Sequence, residues 1–138
     1  MTLIPASGEF SYATAPVKKT SGGSTNILGQ TSGGSTVAEN LNAISDTADI
    51  VVALDRLQSM APAVESVSLV VAWFGDDLRA GNCKVRPGVE VAAQTTTPSP
   101  WVMNGVARAD AFLVSRDAED RPVYGGTPAD FAVVQAIQ

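Results

Sequence analysis

SVSLVVAWFGDDLRAGNCKVRPG, residues Ser66 to Gly88, decides how this chain is read. Val67 to Phe74 is an apolar run with Ser68 as its one polar member, and it stops abruptly at Gly75-Asp76-Asp77. A run that does not alternate predicts a strand buried on both faces, as in a parallel α/β sheet. The segment just past the C-terminal end of such a strand is where α/β folds and barrels place their chemistry. Here that position holds two adjacent carboxylates and then Arg79.

Upstream, residues 46–61 read as a helix. Ser45 or Asp46 can cap it, and Asp46 and Asp49 suit the positive end of its dipole. Ile50, Leu54, Leu57 and Ala61 fall on one face, and Pro62 ends the element. Downstream, Cys83 to Val91 alternates apolar with polar residues, but Pro87-Gly88 interrupts it, which predicts an edge strand or a bent ribbon. Gln94 to Pro100 reads as a loop, Ala109 to Ser115 as a strand and Arg116 to Gly126 as a polar turn region. Thr127-Pro128-Ala129-Asp130 predicts a helix start, with Thr127 as cap and Pro128 at the first helical position. Phe131, Val134 and Ile137 or Gln138 are expected to face inward. Gly125 and Gly126 are expected to supply positive φ angles in a turn.

Residues 1–45 show few core-forming patterns and read as an extended N-terminal region ahead of an α/β module at 46–138. Within them Thr20-Ser21-Gly22-Gly23-Ser24-Thr25 recurs as Thr31-Ser32-Gly33-Gly34-Ser35-Thr36, a composition typical of a flexible linker. A phosphate-cradling role is disfavoured, because a P-loop requires Gly-Lys-Ser/Thr after a strand.

At 138 residues the chain is about one domain long, and 45% hydrophobic residues suffice for a modest core. The net charge of -5 and a pI near 4.5 leave no basic footprint for nucleic acid. The absence of histidine removes the commonest general base and metal ligand, so His-dependent triads and the usual zinc sites are excluded. No metal or cofactor is expected. The single Cys83 cannot form an internal disulfide, and no histidine exists to activate it. Thr2 to Pro5 is too short and polar for a signal segment, and no run approaches the roughly 20 residues of a membrane span. The expected product is soluble and made in the cytoplasm.

SLVVAWFGDDLRAGNCKVRPGVE, followed by Trp101, VSRD (114–117) and RPVYGGTPADFAVVQAI (121–137), resembles the large tail-tip (baseplate) protein of gene transfer agents. Those particles are domesticated phages of alphaproteobacteria. The resemblance runs from about Ile4 to the C-terminus, interrupted by the Gly/Ser insertion. It implies the opening unit of a TIM-barrel-like, glycoside-hydrolase-like segment. A complete barrel takes about 250 residues, so a partial (β/α)-barrel-like unit is the expected fold. Such a unit exposes an apolar sheet face and a strand edge, which predicts partners: other tail proteins or copies of itself.

Asp76 and Asp77 are the candidate catalytic residues. Glycoside hydrolysis needs two carboxyl groups about 5 to 9.5 Å apart across the scissile bond, whereas adjacent loop residues point in different directions. A turn in which Asp76 caps Gly75 and Asp77 pairs with Arg79 explains the same residues more directly. A site for Ca²⁺ or Mg²⁺ including Glu90 lacks supporting spacing, and Asp117 to Asp120 fails the EF-hand pattern. Trp101 and Tyr124 are the candidate glycan-stacking residues, with packing as the favoured role for each; Trp73 reads as core. The favoured reading is a structural or interaction component of a tail tip, located in the virion and contacting the host envelope. The alternatives are an envelope-glycan hydrolase and a glycan- or receptor-binding decoration.

Overall fold

The structure is a computed structural model that describes residues 1–3, 8–20, 35–43 and 45–138. In chain order the elements are β1 (Thr2–Leu3), β2 (Lys18–Thr20), β3 (Thr36–Ala38), α1 (Asp49–Met60), β4 (Ser68–Leu69), β5 (Phe74–Gly75), β6 (Val85–Arg86) and β7 (Gly88–Val89). There follow β8 (Thr95–Thr97), β9 (Val102–Met103), β10 (Val106–Ala107), a 3₁₀ turn (Arg108–Asp110), β11 (Phe112–Leu113) and α2 (Asp130–Ile137). The fold is mixed α/β, and among the described residues its short strands form small sheets rather than a closed barrel.

Helix α1 begins at Asp49, later than the sequence suggests, because Asp49 is tied to the preceding loop. Its carboxylate accepts from the Asn42 amide N–H, the Asn42 side chain and the Ala43 amide at 2.7–2.9 Å. Desolvation opposes ionisation, yet these bonds together hold its carboxyl below the usual range. Ile50 is buried and Val51 and Leu54 pack against the core, as the helical spacing requires.

The central strand is corrected. Only the two ends of the Val67–Phe74 run pair with strands: β4 runs parallel to β1, and β5 antiparallel to β6. Between them, side-chain hydroxyls satisfy backbone groups. The Tyr12 hydroxyl accepts from the Val70 amide at 3.0 Å and donates to the Val70 carbonyl at 2.8 Å. The Thr127 hydroxyl donates to the Ala72 carbonyl at 2.8 Å. Val67 and Trp73 are more than one-third exposed, so the run is not sandwiched between two layers. An apolar run reports only that burial is possible; neighbouring segments decide whether it happens.

Pro87 breaks the next ribbon as expected. It separates β6, paired with β5, from β7, paired parallel with β11. Phe74 packs on Phe112 at 6.1 Å between centroids, and the Arg86 guanidinium lies 5.5 Å from the Phe112 ring. The predicted strand at 109–115 shrinks to β11, because residues 108–110 form the 3₁₀ turn. Gln94–Pro100 is not all loop: β8 joins β2 and β3 in a three-stranded antiparallel sheet. Asn104 and Gly105, both at positive φ, close the β9–β10 hairpin.

The N-terminal segment supplies far more core than its pattern suggests. Phe10, Tyr12, Ala13 and Val17 are buried in one cluster with Ile50, Val89, Trp101 and Ala132. Buried Asn40 holds the 13–17 loop in place. Its amide donates to the Ala13 and Ala15 carbonyls, and its oxygen accepts from Val17 N–H, all within 2.8–2.9 Å. Thr20 and Thr36, at the edges of the Gly/Ser repeat, are register partners across β2–β3. The linker assigned to the stretch between them lies outside the described residues.

Thr127 does not cap α2, which starts at Asp130 after Ala129. Instead it is a fully buried junction. Its hydroxyl also accepts from Gly88 N–H at 2.9 Å, its amide donates to the Gly88 carbonyl, and its carbonyl accepts from Trp101 Nε1–H at 2.8 Å. In α2, Phe131 meets Phe10 and Ala132 is buried, but Val134 and Ile137 are exposed rather than inward. Thr127→Val keeps the shape and strands the Gly88 amide and Ala72 carbonyl. It is expected to lower stability by about 2 kcal/mol in urea denaturation, with an unchanged m-value.

Candidate functional site

The β5–β6 hairpin carries the Asp76-Asp77 pair. The two carboxylates are held apart by their own partners. Asp76 accepts from Lys84 N–H at 2.8 Å and pairs with Arg86 at 2.9 Å, closing the hairpin. Asp77 accepts from the Arg79 backbone and grips its guanidinium at 2.7–3.3 Å. The Lys84 amide and the Arg86 charge hold Asp76 below the ordinary carboxylate range, and the Arg79 side chain and amide do the same for Asp77. Two ionised, neutralised carboxylates offer neither a general acid nor an unengaged base, so the pair is turn chemistry. Asp117 is occupied alike, by the Arg121 backbone and guanidinium and the Glu119 amide.

Trp101 is corrected as a glycan platform. It is 1% exposed, with its indole N–H committed to Thr127. A groove of about 600 Å³ lies over it, lined by residues including Thr95, Thr96, Val102, Ala107 and Arg108, but its floor presents no accessible ring face. Tyr124 is 60% exposed. Trp73, read as core, stands 38% exposed. Just beyond it in the chain, Gly75 of β5 pairs with Val85 of β6, and Val85 presents an apolar face that is 61% exposed. Leu78 at the hairpin tip is fully exposed. Half-buried Cys83 underlies this face, its Sγ 2.7 Å from where a Cβ on Gly75 would sit.

A second cluster carries no sequence signal, because its members lie far apart in the chain. Glu9 and Arg108 form a buried ion pair. Arg108 also donates to the Val91 carbonyl at 2.9 Å and lies between the rings of Phe10 and Trp101, 5.9 and 5.8 Å from their centroids. Among the described residues its Nε has no hydrogen-bond partner. Glu9 Oε1 accepts from Glu90 N–H at 2.8 Å. Gly126 belongs here through close approach rather than the positive φ expected of it. A Cβ there would sit 2.6 Å from the Glu9 Cγ and 2.8 Å from the Gly88 carbonyl oxygen.

Among the described residues no group of three or more His, Cys, Asp or Glu is arranged to hold a metal ion. No helix among them is long and apolar enough to cross a membrane. Comparison with protein-family models, curated proteins and solved structures finds no match.

Proposed function

We propose that this chain is a structural and interaction component of a phage or gene-transfer-agent tail tip, a virion protein made in the host cytoplasm and contributing to envelope contact. In this reading the α/β unit corresponds to the opening of a (β/α)-barrel-like segment. The parallel pairing of β1 with β4, with α1 as well as β2 and β3 in the chain between them, and the parallel β7–β11 pair support it. The observation that carries the interaction role is the apolar surface along residues 67–85, where Val67, Trp73, Leu78 and Val85 are exposed. A braced hairpin presenting such residues suits contact with a neighbouring tail protein or another copy of the chain.

The test is co-purification with tail-tip proteins and light scattering of the isolated chain, alongside glycan-binding and glycan-turnover assays. Wild type is expected to associate without sugar turnover. Trp73→Glu with Val85→Glu should abolish the association and leave the fold intact by circular dichroism. Asp76→Asn with Asp77→Asn should leave association unchanged. Glycan cleavage that disappears in the Asp76/Asp77 double variant would establish the hydrolase reading instead.

A further inference from the structure

Glu90 sits where segments from four parts of the chain converge. Its amide is held by Glu9, and its carbonyl accepts from Arg116 at 2.7 Å. Its carboxylate accepts from the Gly126 amide and lies against Gly8, where a Cβ would come within 2.8 Å of Oε1. Every charged group around it is accounted for. Glu9, from the N-terminal segment, is itself paired with buried Arg108 of the 3₁₀ turn. Glu39, just past β3, is paired with Lys19 of β2 at 2.6 Å. Arg116 is engaged by carbonyls and by Asp120. Thus the neighbouring acids already hold cations, and Glu90 has no ion pair of its own among the described residues.

We propose that Glu90 is a proton-operated latch. With a proton on its carboxyl, Gly8–Glu9 and the Gly125–Gly126 segment close on the end of β7; without it, the cost of holding an unpaired carboxylate against these segments away from water, with the charges of Glu9 and Glu39 adding to it, loosens them. Desolvation, then the charges of Glu9 and Glu39, raise the Glu90 carboxyl above the ordinary glutamate value of 4.5, against smaller opposing effects of Lys19 and the Gly126 amide. The folded state therefore binds this proton more tightly than the unfolded chain. Its stabilisation is complete below pH 4.5 and is lost as pH rises through the raised value. Asp49, Asp76, Asp77 and Asp117 act oppositely, losing stability as pH falls below the ordinary aspartate value of 3.8, outside this window.

Amide hydrogen exchange of Gly126, corrected for intrinsic rate, tests the latch from pH 4.5 to 8, with Val114 N–H of the β7–β11 region as the reporter of global opening. In wild type the Gly126 opening constant is expected to rise by up to about tenfold per pH unit through the Glu90 titration. Glu90→Gln should abolish that slope and leave Gly126 protected at neutral pH. Glu39→Gln should move the transition to lower pH. A Gly126 opening constant that is independent of pH in wild type, or keeps its slope in Glu90→Gln, overturns the proposal.

Discussion

Glu9→Gln is expected to destabilise the chain by about 3–5 kcal/mol, read as a lower urea midpoint at pH 7 with an unchanged m-value. The substitution preserves shape and removes only the charge opposing Arg108. Both side chains of this ion pair are more than nine-tenths buried, so the guanidinium is left without a counterion away from water. Single domains have about 5–15 kcal/mol in all, so the loss consumes a large share. The cost is that of orphaning a charge, not the worth of the pair. Glu9→Leu with Arg108→Met should therefore recover most of it, leaving a deficit of about 1–2 kcal/mol for the Glu90 amide and Val91 carbonyl that lose their partners. A double variant as unstable as the sum of the singles would show that the two residues are not coupled.

Trp101→Ala is expected to cost about 3–5 kcal/mol, the range for truncating a large buried aromatic. Three losses coincide: the packed volume, the hydrogen bond to the Thr127 carbonyl and one of the two rings flanking Arg108. Trp101→Phe should fall between, retaining most apolar area while orphaning Thr127. Thermal and urea denaturation measure both variants. Unchanged stability with lost glycan binding in Trp101→Ala would restore Trp101 as a surface platform.

Local signals in the sequence carried real information. The helix at 49–60, the break at Pro87, the Asp77–Arg79 turn and the helix entering near Asp130 are each governed by residues within a few positions of one another. Asn104-Gly105 is equally local, and its hairpin was legible though absent from the expectations above. The Val67–Phe74 strand misled because apolarity does not say which backbone groups will find strand partners. Here Tyr12 and Thr127 substitute for a neighbour over part of its length. Trp101 follows Pro-Ser-Pro, which makes a stacking role worth weighing, but packing is the role the structure shows: its indole N–H bonds Thr127 and its ring lies beside Arg108.

By itself the sequence determined the mixed α/β character, the acidic charge balance, the exclusion of histidine chemistry and the Asp77–Arg79 pairing, all of which depend on composition or short spacing. The two partners that Asp76 takes, Lys84 and Arg86, lie across the hairpin. Only the tertiary structure decided that Phe10, Tyr12 and Val17 belong to the core. It alone joined Glu9, Glu90 and Arg108, and left Trp73 and Val85 facing outward. The physical reason is separation along the chain. Burial and charge pairing there are set by contacts between distant segments, and no local pattern records which segments meet.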